Sequence, residues 1–176
     1  MTGREGGPER TWAEAVALGP WGAPPALRPL SPDDAAALAG VYERVDAALT
    51  PQAASCRACG ECCRFGPDRP VLFASTLEAA YLVASVGAAA AEQQATPGGP
   101  DALWRCSYQK GDRCTARAGR MLGCRTYFCD PSARRRGEEV HADAMKEIRR
   151  IAARRKAGWW YGPARFFFAR GAAGGG

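Results

Sequence analysis

The chain has 176 residues and suits a single domain; 47% of its residues are hydrophobic, but many of these are alanines, so we expect a thin core. Its net charge of +6 arises in the last quarter, where residues 131–176 hold 11 Lys or Arg and 4 Asp or Glu. The first twenty residues lack the pattern of a secretory signal, and no apolar stretch reaches the ~20 residues of a membrane span, so we expect a cytoplasmic protein with no membrane span.

The N-terminal part predicts an arm followed by a helix. Residues 1–30 are rich in Gly and Pro and predict a flexible arm. Ser31 precedes a proline and two aspartates, which is the pattern of a helix N-cap with early acidic charge, and the helix should run to about Leu49. Its predicted core face consists of Leu38, Val41, Tyr42, Val45 and Leu49.

Two further helices are predicted on either side of a cysteine-rich stretch. A Ser-x-x-Glu capping box at residues 75–78 predicts a helix over residues 76–93. Residues 106–129 show no clean period and predict irregular loops with short turns. An Asp-Pro pair at residues 130–131 predicts the cap and start of a last helix that ends near Gly158. The predicted apolar stripe of this helix is Val140, Ala144, Ile148 and Ile151.

The predicted fold is therefore mainly α, a small single domain of a few helices with irregular cysteine-rich loops organised around bound metal. After the arm, residues 31–158 are predicted to form this helical metal-binding domain. Residues 159–176 are predicted to form an aromatic segment, "WWYGPARFFFAR", and a disordered tail. The aromatic rings either pack onto the helices as core, which we favour, or contact a partner.

The strongest chemical signal is a division of the eight cysteines into two sets of four. Zinc and a [4Fe-4S] cluster each take four thiolates, and thiols in a reducing compartment favour metal over disulfide bonds. The first set has the spacing C-x2-C-x2-C-C, whose tight turn favours a [4Fe-4S] cluster, although zinc fits the same donors. The second set has the spacing C-x7-C-x9-C-x4-C. The predicted metal ligands are Cys56, Cys59, Cys62, Cys63, Cys106, Cys114, Cys124 and Cys129.

The adjacent pair Cys62 and Cys63 indicates how the two sets are connected. Neighbouring side chains on an extended backbone diverge, so the two thiols cannot easily serve one mononuclear centre. We therefore expect Cys63 to reach a second centre, or the far side of a larger cluster, that the second set completes. Arginines next to cysteines, among them Arg64 and Arg125, could offset the thiolate charge.

The cysteine motifs resemble those of a known family. The stretches "CRACGECCRF", "STLEAA" and "RCSYQKGDRCTARAGRMLGCRTYFC" are similar to the CxxCxxCC (YkgJ-like) cysteine-cluster family, described as a zinc- or iron-chelating domain. The likeness covers about residues 56–130 and places all eight cysteines, Gly60, Arg120 and Arg125 on motif positions, with Met121 where the family usually has proline. The resemblance implies metal chelation.

One relative in this family suggests an enzyme. Flagellin lysine N-methylase carries the same cysteine motif and methylates lysines with S-adenosylmethionine. It is a longer protein, and we find no separate region in this sequence large enough for a methyl-donor domain.

Three functions are consistent with these features. The first is a cytoplasmic metal-binding protein whose partners are zinc ions or iron–sulfur clusters. The second is an iron–sulfur redox or protein-modifying enzyme, with a protein substrate and unidentified catalytic residues. The third, which we do not favour, is a zinc-scaffolded nucleic-acid module that uses the basic C-terminal helix. The only histidine, His141, excludes a two-histidine metal site and is predicted to be a surface or packing residue.

Overall fold

A computed structural model describes residues 24–54, 60, 63–64, 71–86, 106, 108–155, 158–164 and 167. In these segments the chain forms five helices and two small antiparallel sheets, so the prediction of a small, mainly helical protein is confirmed. The elements are α1 (Pro32–Ala48), α2 (Thr50–Ala53), β1 (Phe73–Ser75), α3 (Thr76–Val86), β2 (Gln109–Lys110), β3 (Arg113–Cys114), α4 (Leu122–Thr126), α5 (Pro131–Arg154) and β4 (Tyr161–Pro163). Most of the predicted arm, the last part of the helix predicted to reach residue 93, and the predicted tail lie outside the described residues.

Helix α1 begins where the sequence predicts it. The Ser31 hydroxyl accepts a hydrogen bond from the backbone N–H of Asp34 at 3.1 Å, which satisfies one of the unpaired donors of the first turn. All five residues predicted for its core face are buried. They pack with α5 in the larger of the two core clusters, whose buried members are Leu38, Val41, Tyr42, Val45, Leu49, Leu77, Leu122, Phe128, Ala133, Ala144, Met145, Ile148 and Ile151.

Helix α5 is also capped as predicted. The Asp130 carboxylate accepts a hydrogen bond from the backbone N–H of Ser132 at 2.9 Å. The helix ends at Arg154, before the predicted stop at Gly158. Its stripe of apolar residues faces α1 and supplies one side of the larger core cluster, with Ala144, Ile148 and Ile151 buried and Val140 partly buried.

Gly137 sets how closely α5 approaches the end of α4. A Cβ atom on Gly137 would lie less than 3.0 Å from the carbonyl oxygen of Thr126, so the two helices would have to separate. We expect Gly137→Ala to lower the free energy of unfolding by about 1–3 kcal/mol, measured by urea denaturation. The matched control is Gly40→Ala in α1, where a Cβ atom meets only the flexible end of Arg44 at 3.5 Å and alanine should stabilise the helix by up to about 1 kcal/mol. Effects of the same sign would contradict this account.

The aromatic C-terminal segment packs into the fold. Strand β4 pairs with β1 in antiparallel register, with Ala74 opposite Gly162. The Trp160 carbonyl accepts a hydrogen bond from the backbone N–H of Thr76 at 3.0 Å. The buried ring of Phe167 meets the Trp160 ring edge-on, with 4.8 Å between their centroids. The rings of Trp160 and Phe167 therefore pack as core, as the favoured interpretation predicted, whereas Trp159 is 39% exposed.

A second core cluster lies beside the cysteines. Its buried members are Ala74, Ala79, Leu82, Tyr108, Ala116, Met121, Ala164 and Phe167. Half of these residues are alanines, which bury little apolar area, and the other half are Leu82, Tyr108, Met121 and Phe167. Partly buried Cys106, Cys114 and Cys124 pack against it.

The second cysteine stretch is more regular than predicted. Strands β2 and β3 form a hairpin, and Cys114 lies in β3 while Cys124 lies in α4. The irregular loops expected for these residues were therefore wrong in part, because strands of two residues are too short to show an alternating pattern. The Gly111–Asp112 pair in the turn, where Gly111 has a φ of 58°, is the local signal that could have indicated the hairpin.

No helix in the described segments has both the length and the apolar character needed to cross a bilayer.

Candidate metal centre

Two hydrogen bonds join the described residues of the first cysteine stretch to the second, and a third bond lies within the second stretch. The Cys63 carbonyl accepts from the backbone N–H of Cys106 at 2.8 Å. The side-chain amide of Gln109 donates to the Gly60 carbonyl at 3.1 Å, across 49 positions of sequence. The backbone N–H of Gln109 donates to the Cys106 carbonyl at 2.9 Å. The loop that contains Gly60 and Cys63 is therefore anchored at the start of the β2–β3 hairpin.

The hairpin carries a further cysteine into the same neighbourhood. Cys114 in β3 lies directly opposite Gln109 in β2. The Tyr108 carbonyl accepts hydrogen bonds from the backbone N–H and the hydroxyl of Thr115, at 2.8 and 2.9 Å, which closes the hairpin. Burial raises the pKa of Tyr108 to about 12, and the negative charge of a Cys106 thiolate nearby contributes to the shift. In the sequence, Cys106 and Cys114 thus flank Gln109, whose side chain binds Gly60 of the first cysteine stretch.

Gly60 is required at this junction for two reasons. Its φ of 73° lies in the left-handed region, and a Cβ atom would lie 2.7 Å from the Asp112 carbonyl oxygen and closer still to the Gln109 amide. We expect Gly60→Ala to separate the two sets and to abolish the hydrogen-exchange protection of the Cys106 amide, measured by NMR. The control is Gly111→Ala, which has a φ of 58° but no neighbour within 4 Å, and should cost only about 1–2 kcal/mol of conformational energy. Equal loss of Cys106 protection in both variants would contradict a specific role for Gly60.

Cys124 lies in α4, whose first residue binds a buried carboxylate. Glu78 is fully buried, and one of its oxygens accepts hydrogen bonds from the backbone N–H and the hydroxyl of Ser75, both at 2.8 Å. The other oxygen accepts from the backbone N–H of Leu122 at 2.8 Å. Burial raises the pKa of Glu78, while these hydrogen bonds act in the opposite direction. The predicted capping box is therefore present, and Glu78 also fixes the first turn of the helix that carries Cys124.

Arg125 binds oxygen atoms of the surrounding fold. Its side chain is 6% exposed, pairs with Asp46 of α1, and donates to the carbonyls of Ala118 and Arg120, both at 2.8 Å. Its guanidinium also lies 4.3 Å from the centre of the Tyr42 ring. The sequence indicated a charge partner for a neighbouring thiolate, whereas these contacts give Arg125 the role of joining α1 to the turn before α4.

The structure describes five of the eight predicted ligands. None of these five is disulfide-bonded; Cys63, Cys106, Cys114 and Cys124 are partly buried and Cys129 is exposed. The other three, Cys56, Cys59 and Cys62, lie outside the described residues. Among the residues that are described, no group of three or more His, Cys, Asp or Glu side chains could hold a metal ion.

His141 is a residue whose position the sequence did not indicate. Its ring is partly buried, and Nδ1 lies 3.0 Å from the Thr126 hydroxyl. Together with Cys63 and Cys124 it lines a cavity of about 680 Å³ between α5, α4 and β1. Burial lowers the pKa of His141, which favours the neutral ring.

Comparisons with family models, with curated proteins and with solved structures find no match to this chain. The resemblance to the CxxCxxCC family therefore stays a prediction that depends on the cysteine motifs.

Proposed function

We propose that this chain is a cytoplasmic metal-binding protein in which the eight cysteines hold one or two zinc or iron–sulfur centres. The observation that carries the proposal is the hydrogen bond from the Cys106 N–H to the Cys63 carbonyl at 2.8 Å. It joins the last cysteine of the first set to the first cysteine of the second set. This contact supports the expectation that Cys63 and the second set share a centre.

The packing around the cysteines also supports a metal. The second core cluster is half alanine, and the elements that carry Cys114 and Cys124 are only two and five residues long. Elements this short bury too little area to be stable alone. A structural metal in a small zinc module contributes about 10–16 kcal/mol, which is enough to order such a region. The tight turn of the first set favours a [4Fe-4S] cluster there, and an all-thiolate zinc site uses the same donors.

Metal analysis of protein purified without oxygen tests the proposal. We expect zinc or iron with acid-labile sulfide, and iron–sulfur centres would add a brown colour that zinc lacks. Cys63→Ser should lower the metal content per chain by one discrete step. The control is Arg64→Ser, which removes the neighbouring side chain and its ion pair with Asp112 at 3.6 Å but no thiol. A metal-free protein that is fully ordered, or unchanged metal content in Cys63→Ser, would overturn the proposal.

The nucleic-acid alternative loses support from the placement of the aromatic rings. Phe167 is buried and Trp160 packs against it, so neither ring is available to stack on a base. Trp159 is 39% exposed, but it stacks on Tyr161 and lies under Arg149. Measured nucleic-acid binding whose affinity falls steeply as the salt concentration rises would support this alternative.

A further inference from the structure

The cavity beside the cysteines has the size and composition of a small-molecule site. Its volume of about 680 Å³ lies within the usual range of ~300–1,000 Å³ for such sites. Apolar side chains line one wall, and helix α5 lines the other with three polar side chains. The apolar wall contains Val71, Leu72, Phe73 and Tyr161. The polar side chains are Arg134, Glu138 and His141.

The hydrogen bonds of Thr126 favour one tautomer of the His141 ring. The Thr126 hydroxyl has one proton and donates it to the Leu122 carbonyl at 3.0 Å. In that arrangement it accepts from Nδ1 of His141, 3.0 Å away, and Nδ1 carries the hydrogen. In a neutral ring this leaves Nε2 with its lone pair. His141 thus contributes a hydrogen-bond acceptor to the wall of the cavity.

Arg134 and Glu138 place opposite charges at the rim of the same cavity. They lie four residues apart on α5, a spacing that brings their Cβ atoms to about 5–6 Å. Both side chains are exposed, and neither forms an ion pair with another residue that the structure describes. The two charges are thus available to a ligand that carries one group of each sign.

We propose that this cavity binds a free α-amino acid with a large apolar side chain. Arg134 pairs with the carboxylate, while Glu138 and the Nε2 lone pair of His141 accept hydrogen bonds from the ammonium group. The apolar side chain packs against Phe73 and Tyr161. Because the cavity reaches Cys63 and Cys124, such a ligand lies directly beside the candidate metal centre.

Isothermal titration of the full-length protein with three matched probes tests the ligand class. We expect L-phenylalanine to bind, and we expect 3-phenylpropionate, which lacks the ammonium group, and phenethylamine, which lacks the carboxylate, to bind at least about tenfold more weakly. Absence of L-phenylalanine binding, or equal affinity for all three probes, would overturn the proposal. The test does not require a metal, so a metal-free protein would contradict the proposed function and leave this result interpretable.

Single variants on α5 test the assigned contacts. Arg134→Gln and Glu138→Gln should each weaken L-phenylalanine binding about tenfold or more, without a change in metal content. The control is Arg135→Gln, whose exposed side chain neighbours Arg134 but does not line the cavity. A loss of affinity in Arg135→Gln equal to that in Arg134→Gln would contradict the assignment.

The single histidine makes the tautomer directly observable. Because the chain contains only one histidine, its ¹⁵N signals report on His141 alone. We expect the Nδ1–H tautomer in the free protein and a change of the Nε2 chemical shift when L-phenylalanine is added. Thr126→Val should reduce the Nδ1–H population, whereas Thr115→Val, which removes a hydroxyl bonded to Tyr108, should not. An Nε2–H tautomer, or an Nε2 signal that does not respond to L-phenylalanine, would overturn the role of His141.

Discussion

Removal of the proposed metal is expected to cost this protein more stability than any single substitution. A structural metal contributes about 10–16 kcal/mol in small zinc modules. The stability of a whole domain is typically about 5–15 kcal/mol, so the metal's contribution is comparable to it or larger. The loss should be local, because the two core clusters differ in composition. The larger cluster between α1 and α5 is rich in Leu, Ile and Val, whereas the cluster beside the cysteines is half alanine. We therefore expect the cysteine-bearing region to unfold first.

Hydrogen exchange can separate the two regions. After chelation under reducing, oxygen-free conditions, we expect the amides of β2, β3 and α4 to lose protection. The amides of α1 and α5 should keep a substantial part of theirs, because Leu38, Val45 and Ile148 remain packed together. Protein kept in the same reductant without chelator is the control. Unchanged protection in the hairpin after complete metal removal would show that sulfur–metal bonds do not order it.

Glu78→Ala is expected to be the most damaging single substitution, with a loss of about 3–5 kcal/mol in the free energy of unfolding. Three donors lose their acceptor: the backbone N–H groups of Ser75 and Leu122 and the hydroxyl of Ser75. Each buried donor left without a partner costs about 1–3 kcal/mol, and the missing side chain leaves a cavity. Because Leu122 begins α4 and Ser75 immediately precedes α3, the loss loosens the starts of both helices.

Urea denaturation of matched variants measures this effect. The control is Glu43→Ala, which removes an exposed glutamate from α1 and should change stability by no more than about 0.5 kcal/mol. Glu78→Gln should fall between the two, because its amide oxygen can still accept while its NH₂ group faces a donor. A Glu78→Ala variant as stable as Glu43→Ala would show that the carboxylate does not hold the two helix starts together.

The parts of the fold that sequence predicted correctly are those with local signals. Ser31 and Asp130 cap the helices that follow them within two or three residues, and the apolar period of each helix repeats within a few turns. The pairing of Ser75 with Glu78 spans only three residues and was equally visible. In each case the residues that determine the structure are near neighbours in the chain.

The parts that sequence could not predict depend on distant residues. Glu78 binds Leu122 across 44 positions, and Gln109 binds Gly60 across 49. Nothing near Arg125 in the sequence indicates its contact with Asp46. The division of the cysteines into two sets follows from their spacing, but the contact between the sets depends on these long-range hydrogen bonds.

Strand β4 has a consequence for the order of events during synthesis. Trp160 completes the start of α3 although it follows Thr76 by 84 positions, and all eight cysteines precede it in the chain. Translation adds about 5–20 residues per second, so all eight cysteines are synthesised before β4 can pair with β1 beside the second core cluster. During that interval the proposed metal ligands are accessible, and the pairing of β4 with β1 then completes the sheet.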